Sequence, residues 1–163
     1  MEFHFAQFHL DIDVQKTRAF YRKSINVSES CSCPGCRNYE NAVGILPDEI
    51  KCFFNSIGVD IKKPAEVYVN SAHSDGSLLY GGFYHLCGTI LNGESAWVKQ
   101  NADNKDSTAS YWKHSKTHPI LNGFYVSFQE DCSLVEAGFP APILQMEIEA
   151  NIPWVLQETN IYI

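Results

Sequence analysis

From Glu66 to Ala150 the apolar residues recur at every second position between turn-forming dipeptides, and that period limits the second half of the chain to strands. Glu66 to Ser71 reads as a strand, Asp75-Gly76 as a hairpin turn, and Leu78 to Leu91 as a long return strand. Gly81-Gly82 inside that strand predicts a bulge or a bend. Asn92-Gly93 predicts a second hairpin turn leading into Ala96, Trp97 and Val98. Phe124, Val126 and Phe128 alternate with Tyr125, Ser127 and Gln129. Ile143 to Ala150 alternates too, which sets Leu144, Met146 and Ile148 inward and Gln145, Glu147 and Glu149 toward solvent. Tight turns between successive strands make such a sheet mainly antiparallel.

The first half follows a different period. Residues 2 to 10 read as one strand. Asp13 then caps a helix ending near Lys23, with Val14, Thr17 and Tyr21 on one face and Phe20 at its edge. Ser24 to Ser30 is short and polar and reads as a loop. Tyr39, Ala42 and Val43 are spaced for burial on a short helical turn that Gly44 stops. Pro47 opens a further helix, with Asp48 and Glu49 in its first turn, Ile50, Phe53, Phe54 and Ile57 on one face, and Gly58 at its end. Residues 100 to 122 are polar and irregular, a long loop with Tyr111 and Trp112 near its middle. The expected fold is α+β, a mainly antiparallel sheet with two or three helices from the N-terminal half packed on it. With no linker or repeat, the 163 residues form a single domain, 1–163, long enough to remove about 70% of the unfolded surface from water.

Twelve basic residues against nineteen acidic ones give a formal charge of −7, with the basic residues scattered. Nucleic acid and anionic membranes are poor partners for such a surface, because both need clustered positive charge. Leu78 to Leu91, the longest apolar stretch, is interrupted by His85, Thr89 and glycines and is too short to span a bilayer. Met1-Glu2-Phe3-His4-Phe5 lacks the basic start and apolar core of a secretory signal. The expectation is a cytoplasmic protein whose six cysteines stay reduced or bind metal.

Three of those cysteines fall in one segment, Cys31-Ser32-Cys33-Pro34-Gly35-Cys36. Neighbouring free thiols oxidise readily, so a cluster of this kind points to metal binding or redox chemistry. Cys33 and Cys36 have the two-residue spacing of a zinc knuckle, and Cys31 can supply a third thiolate. A closed zinc site needs a fourth ligand, for which Cys132, Cys52, Cys87 and His85 are candidates. The same C-x-x-C also suits thiol–disulfide exchange, with Cys33 as nucleophile, Cys36 as resolving thiol and Arg37 lowering the pKa of the pair. A third possibility is a protein-interaction module that meets a partner through its acidic surface or through Tyr111 and Trp112. Singly, Cys52, Cys87, Cys132 and His85 read as core residues. His4, His9, His73, His114 and His118 show no metal-ligand spacing, and Glu147 with Glu149 reads as a solvated strand face. No acid or base for catalysis can be assigned.

The segments Cys31-Ser-Cys33-Pro-Gly-Cys36-Arg37-Asn38-Tyr39, Lys63-Pro-Ala-Glu-Val-Tyr68, Tyr80-Gly-Gly-Phe-Tyr-His85, Ser127-Phe-Gln-Glu-Asp-Cys132 and Ile152-Pro-Trp-Val-Leu156 span most of the chain. Together they resemble an uncharacterised family of small bacterial proteins, largely from Firmicutes, that carries a C-x-C-x-x-C-x-N segment. The resemblance implies a bacterial, cytoplasmic protein and transfers no catalytic residue.

Overall fold

The computed structural model describes residues 1–99 and 109–163, and among them the chain forms four α-helices and nine strands. A hairpin of β1 (Glu2–Phe5) and β2 (Phe8–Ile12) precedes α1 (Val14–Tyr21), α2 (Val27–Ser30), α3 (Pro34–Val43) and α4 (Asp48–Ser56). Then come β3 (Glu66–Ala72), β4 (Leu78–Asn92), β5 (Trp97–Lys99), β6 (Ser110–Trp112), a 3-10 turn, β7 (His118–Leu121), β8 (Phe124–Gln129) and β9 (Ile143–Ile152). Seven strands form one sheet in the order β1-β2-β4-β9-β8-β7, with β3 also paired to β4; β5 and β6 form a separate ribbon. All of these pairings are antiparallel, and tight turns join β1 to β2, β3 to β4 and β7 to β8. The fold is α+β, as expected, with a core dominated by the sheet. No described helix is long and apolar enough to cross a membrane.

One face of the sheet meets the helices. Tyr80 and Tyr84 from β4 and Phe124 from β8 interlock with Tyr39 of α3 and Phe54 of α4, at ring separations of 5.1 to 5.8 Å. Leu144, Met146 and Ile148 of β9 lie fully buried on the same side, where the alternation placed them. Each such large side chain withdrawn from water contributes roughly 1.5 to 3 kcal/mol, so this layer supplies the main drive to fold.

The long strand β4 serves three neighbours. Along one edge β9 pairs with Leu78 through Cys87. Along the other, β3 pairs with Leu78 through Phe83 and β2 takes over at Gly88. Residues 84 to 87 therefore lack a strand on that edge, and α1 supplies the missing partners. The Tyr21 hydroxyl accepts from His85 N at 3.1 Å and donates to His85 O at 3.0 Å, Thr17 Oγ1 accepts from Cys87 N at 3.0 Å, and Asp13 N donates to Cys87 O at 2.8 Å. Tyr21→Phe would strand both backbone groups of His85 in the interior, and it is expected to cost about 2 kcal/mol in equilibrium urea denaturation. A loss no larger than a surface mutation's would mean that water replaces the hydroxyl.

Several expectations are corrected. Residues 2 to 10 are a hairpin rather than one strand: Ala6 turns the chain at φ 51° without a glycine or asparagine to announce it. Residues 24 to 30 are not all loop, since α2 forms one turn there. The register shift in the β3–β4 pair falls beside Asn70, between Val69 and Ser71, while Gly81 and Gly82 instead permit close approach. Asn92-Gly93 does not fold β5 back onto β4. β5 pairs with β6 across the other face of the sheet, and Ala96 N donates to Ser127 Oγ at 2.8 Å to anchor the ribbon. Part of the expected 100 to 122 loop lies outside the described residues, but its second half holds β6, the 3-10 turn and β7. Finally, Gln145 and Glu147 are buried rather than solvated.

Candidate metal centre

The cysteine cluster sits on the link between α2 and α3. Asn26 opens α2, its N–H donating to Glu29 Oε2 at 2.7 Å. Glu40 reaches back from α3 to accept from Asn26 Nδ2 at 2.8 Å and Ser28 N at 3.0 Å. Burial works against the charge on Glu40, yet the hydroxyl and N–H of Ser28 and the Asn26 amide outweigh it and hold the carboxyl below the usual carboxylate range. That carboxylate ties the two helices at a fixed angle. Cys31 is the C-cap of α2, Cys33 the N-cap of α3 and Pro34 its first residue, so only Ser32 separates the helix ends and both thiols converge. Cys36, one turn on, brings the third.

The sulfurs of Cys31 and Cys33 are 3.2 Å apart, and the three Sγ atoms all lie within 4.8 Å of one another. Cys36 N donates to Cys33 Sγ at 3.5 Å, as the N-cap position of Cys33 places it. Hydrogen bonds from the Cys33 backbone and from the neighbouring thiols draw the Cys31 pKa below the ordinary thiol range. Burial pushes the Cys36 thiol strongly up. A bound cation would override the burial of Cys36, since a coordinated thiol loses its proton outright. The cluster opens to solvent on the Cys33 side, while Cys36 is buried.

The core of the protein holds this loop from behind. Tyr80 donates its hydroxyl to Gly35 O at 2.9 Å. Buried Asn38 donates to Pro153 O at 3.0 Å and accepts from Val155 N at 2.8 Å, joining α3 to the segment after β9. Arg37 donates to Ser32 O at 3.1 Å and pairs with Glu158 at 2.5 Å. Its guanidinium thus clamps the loop to the C-terminal segment. Tyr162 closes over Gly35, where any added Cβ would meet its hydroxyl at 2.8 Å.

None of the four candidate fourth ligands joins the cluster. His85 lies on the sheet face away from the helices, with Nε2 3.2 Å from Gln145 Oε1. Cys87 and Cys132 point their thiols at backbone carbonyls of Ala141 and Ile143, and Cys52 is exposed on α4. Among the described residues the three thiols are the whole donor set from His, Cys, Asp and Glu. A second group, Glu2, His4 and His9, was invisible as spacing because the unexpected hairpin brings it together: His4 and His9 are cross-strand partners whose rings stack at 4.1 Å. Trp112 packs back on its own domain, its ring 5.5 Å from Trp97 and its indole donating to Glu149 Oε2 at 2.7 Å, while Tyr111 stays exposed.

No family model, curated protein or solved structure matches the chain, so the geometry of the site carries the functional reading by itself.

Proposed function

We propose that Cys31, Cys33 and Cys36 bind one metal ion, zinc in the first instance, and that the ion fixes the junction between α2 and α3. The convergence of three sulfurs within 4.8 Å carries the reading. Thiolates about 2.3 Å from a tetrahedral zinc lie about 3.8 Å apart, so the cluster needs only sub-ångström adjustment to accept one. A thiolate-rich set that no described carboxylate or histidine joins suits a structural ion, and the same set also accepts iron or copper(I). Water or an exogenous thiol would take the fourth position, on the open side at Cys33. The reduced thiols such a site needs fit a bacterial cytoplasmic protein, in keeping with the resemblance to the Firmicutes proteins. The test is metal content on the full chain purified without chelator or affinity metal. About one zinc per chain, falling to background in Cys33→Ser, is the expected result; a metal-free wild-type protein that takes up no added zinc would overturn it.

A second reading, thiol–disulfide exchange, is favoured by the exposure of Cys33 beside the buried Cys36. The Cys33 thiolate would attack a partner's disulfide and release one partner thiolate, and Cys36 would then displace the second, leaving a Cys33–Cys36 disulfide and a reduced partner. Cys36→Ser would trap the mixed disulfide. Absence of any trapped species from a disulfide-bonded peptide substrate would remove this reading.

A further inference from the structure

The sheet face turned away from the helices holds polar side chains that the fold covers instead of exposing. β9 sets Gln145 and Glu147 there at 2% and 4% exposure. Glu66 and Glu147 are both Cα partners of Phe83, one from each side, so the two carboxylates flank a phenyl ring on one face. The β5–β6 ribbon crosses this face and leaves a cavity of about 920 Å³, a volume within the range that encloses small organic ligands.

The hydrogen bonds inside the cavity have a fixed direction. Ser133 N donates to Gln145 Oε1 at 2.7 Å, which settles the orientation of that amide: its Nε2 must donate, and it does so to Glu147 Oε1 at 2.5 Å. His85 Nε2 then donates to the same Gln145 oxygen, and Gln129 Nε2 adds a second bond to Glu147 Oε1 at 2.6 Å. Among the described residues both donors to Glu147, the Gln145 and Gln129 amides, are neutral N–H groups, and both reach Oε1. Yet none of the ion pairs among the described residues includes Glu147. Burial accordingly pushes its carboxyl above the usual range. A buried carboxylate with no cation partner among the described residues is unfavourable for folding in its ionised form, and a ligand cation would supply that partner.

The walls define the ligand further. Tyr68 lies against Gly81, where an added Cβ would come within 2.5 Å of the ring and could be accommodated only if the ring moved. Trp97 is braced edge-on by Trp112, itself held by Glu149. Glu66, Glu130 and Asp131 add negative charge at the rim, against Lys99 as the basic residue among the described lining. No metal-holding cluster among the described residues includes Glu147, and aromatic walls suit an organic cation better than a bare metal ion. A neutral sugar would leave the charge unanswered.

We propose that this cavity binds a small organic cation, an alkylammonium or guanidinium compound, whose charge pairs with Glu147 while its carbon chain lies against Tyr68, Phe83 and Trp97. Aromatic faces and a buried carboxylate are the two features that such ligands share as partners.

The experiment is calorimetric titration of the full chain with putrescine, spermidine and agmatine, with 1,4-butanediol as the neutral counterpart of putrescine, alongside Trp fluorescence. At least one of the cations is expected to bind saturably and the diol not at all. Glu147→Gln keeps an acceptor for both amides and removes the charge, so binding should weaken tenfold or more while the melting temperature holds or rises by ~2–4 °C. Asp48→Asn, which makes the same change of net charge on an exposed helix, should leave affinity unaltered. No saturable binding of any of the three cations overturns the proposal, as does equal binding of the diol, or affinity that Glu147→Gln leaves unchanged or that Asp48→Asn reduces as much.

Discussion

Asn38→Ala is expected to destabilise the protein by about 3 to 4 kcal/mol, measured by equilibrium guanidinium denaturation. Asn38 is fully buried, and its amide makes contacts in three directions: Nδ2 to Pro153 O at 3.0 Å and to Tyr80 Oη at 3.3 Å, and Oδ1 from Val155 N at 2.8 Å. Alanine removes all three and leaves a backbone carbonyl and a backbone N–H of the segment after β9 without partners. A backbone group left without a partner costs up to about 1 to 3 kcal/mol where water does not reach it, and the volume vacated by the buried Asn38 side chain adds to the loss. Asn38→Asp should fare no better, because a carboxylate still accepts from Val155 N but faces the Pro153 carbonyl with like polarity. A loss below about 1.5 kcal/mol for the alanine variant would mean that α3 is held chiefly by its apolar face. Cys36 and Asn38 sit on the same short helix, so the variant should also loosen the thiol cluster, visible as faster reaction of Cys36 with a thiol reagent.

What the sequence disclosed about this region and what it hid divide along one physical line. The three cysteines meet because they are close in the chain, and spacing alone reports that. α4 is equally legible, since its apolar face repeats at the helical period and Pro47 and Gly58 bound it. Partners brought in from far along the chain leave no such trace. Asn38 finds Pro153 and Val155, and Arg37 finds Glu158, only after the C-terminal segment has crossed the end of the sheet. The expected fourth ligand failed for the same reason: His85 and Cys87 share a strand, but that strand presents them to the opposite face from α3.

The same limit explains the hidden cavity. Alternation in β9 correctly separates Leu144, Met146 and Ile148 from Gln145 and Glu147, but a period of two states only which residues share a face. It is silent on whether something covers that face. The cover here is a ribbon drawn from a stretch with little apolar pattern, anchored through Ala96, Ser127, Trp112 and Glu149 rather than through a hydrophobic stripe. The polarity of Gln145 and Glu147 therefore reads as solvent exposure although both are buried beneath the ribbon.

Gly88→Ala should be at least as damaging as the loss of Asn38, at about 4 kcal/mol or more in the same denaturation measurement. An added Cβ would stand 2.4 Å from Asp11 O and 3.1 Å from Ile12 Cα, and both are backbone atoms of β2 that no rotamer change can move. The strands would have to part where β2 takes over the edge of β4, opening the pairing of Ile12 with Gly88 next to the helix-supplied bonds of Cys87. Gly44→Ala provides the contrast: Gly44 ends α3 at φ −67°, a right-handed conformation open to any residue, and its Cβ would meet nothing closer than 3.4 Å. That change should fall within about 0.5 kcal/mol of neutral, and toward stabilisation, because alanine restricts the unfolded chain. A Gly88→Ala variant within 1 kcal/mol of wild type would show that β2 slides freely on β4. Gly81→Ala lies between these cases, since the obstacle there is the Tyr68 ring and a side chain can swing away. Its stability loss should be the smaller of the two strand variants, and the displaced Tyr68 would take one wall of the cavity with it, so cation affinity should fall while the fold remains.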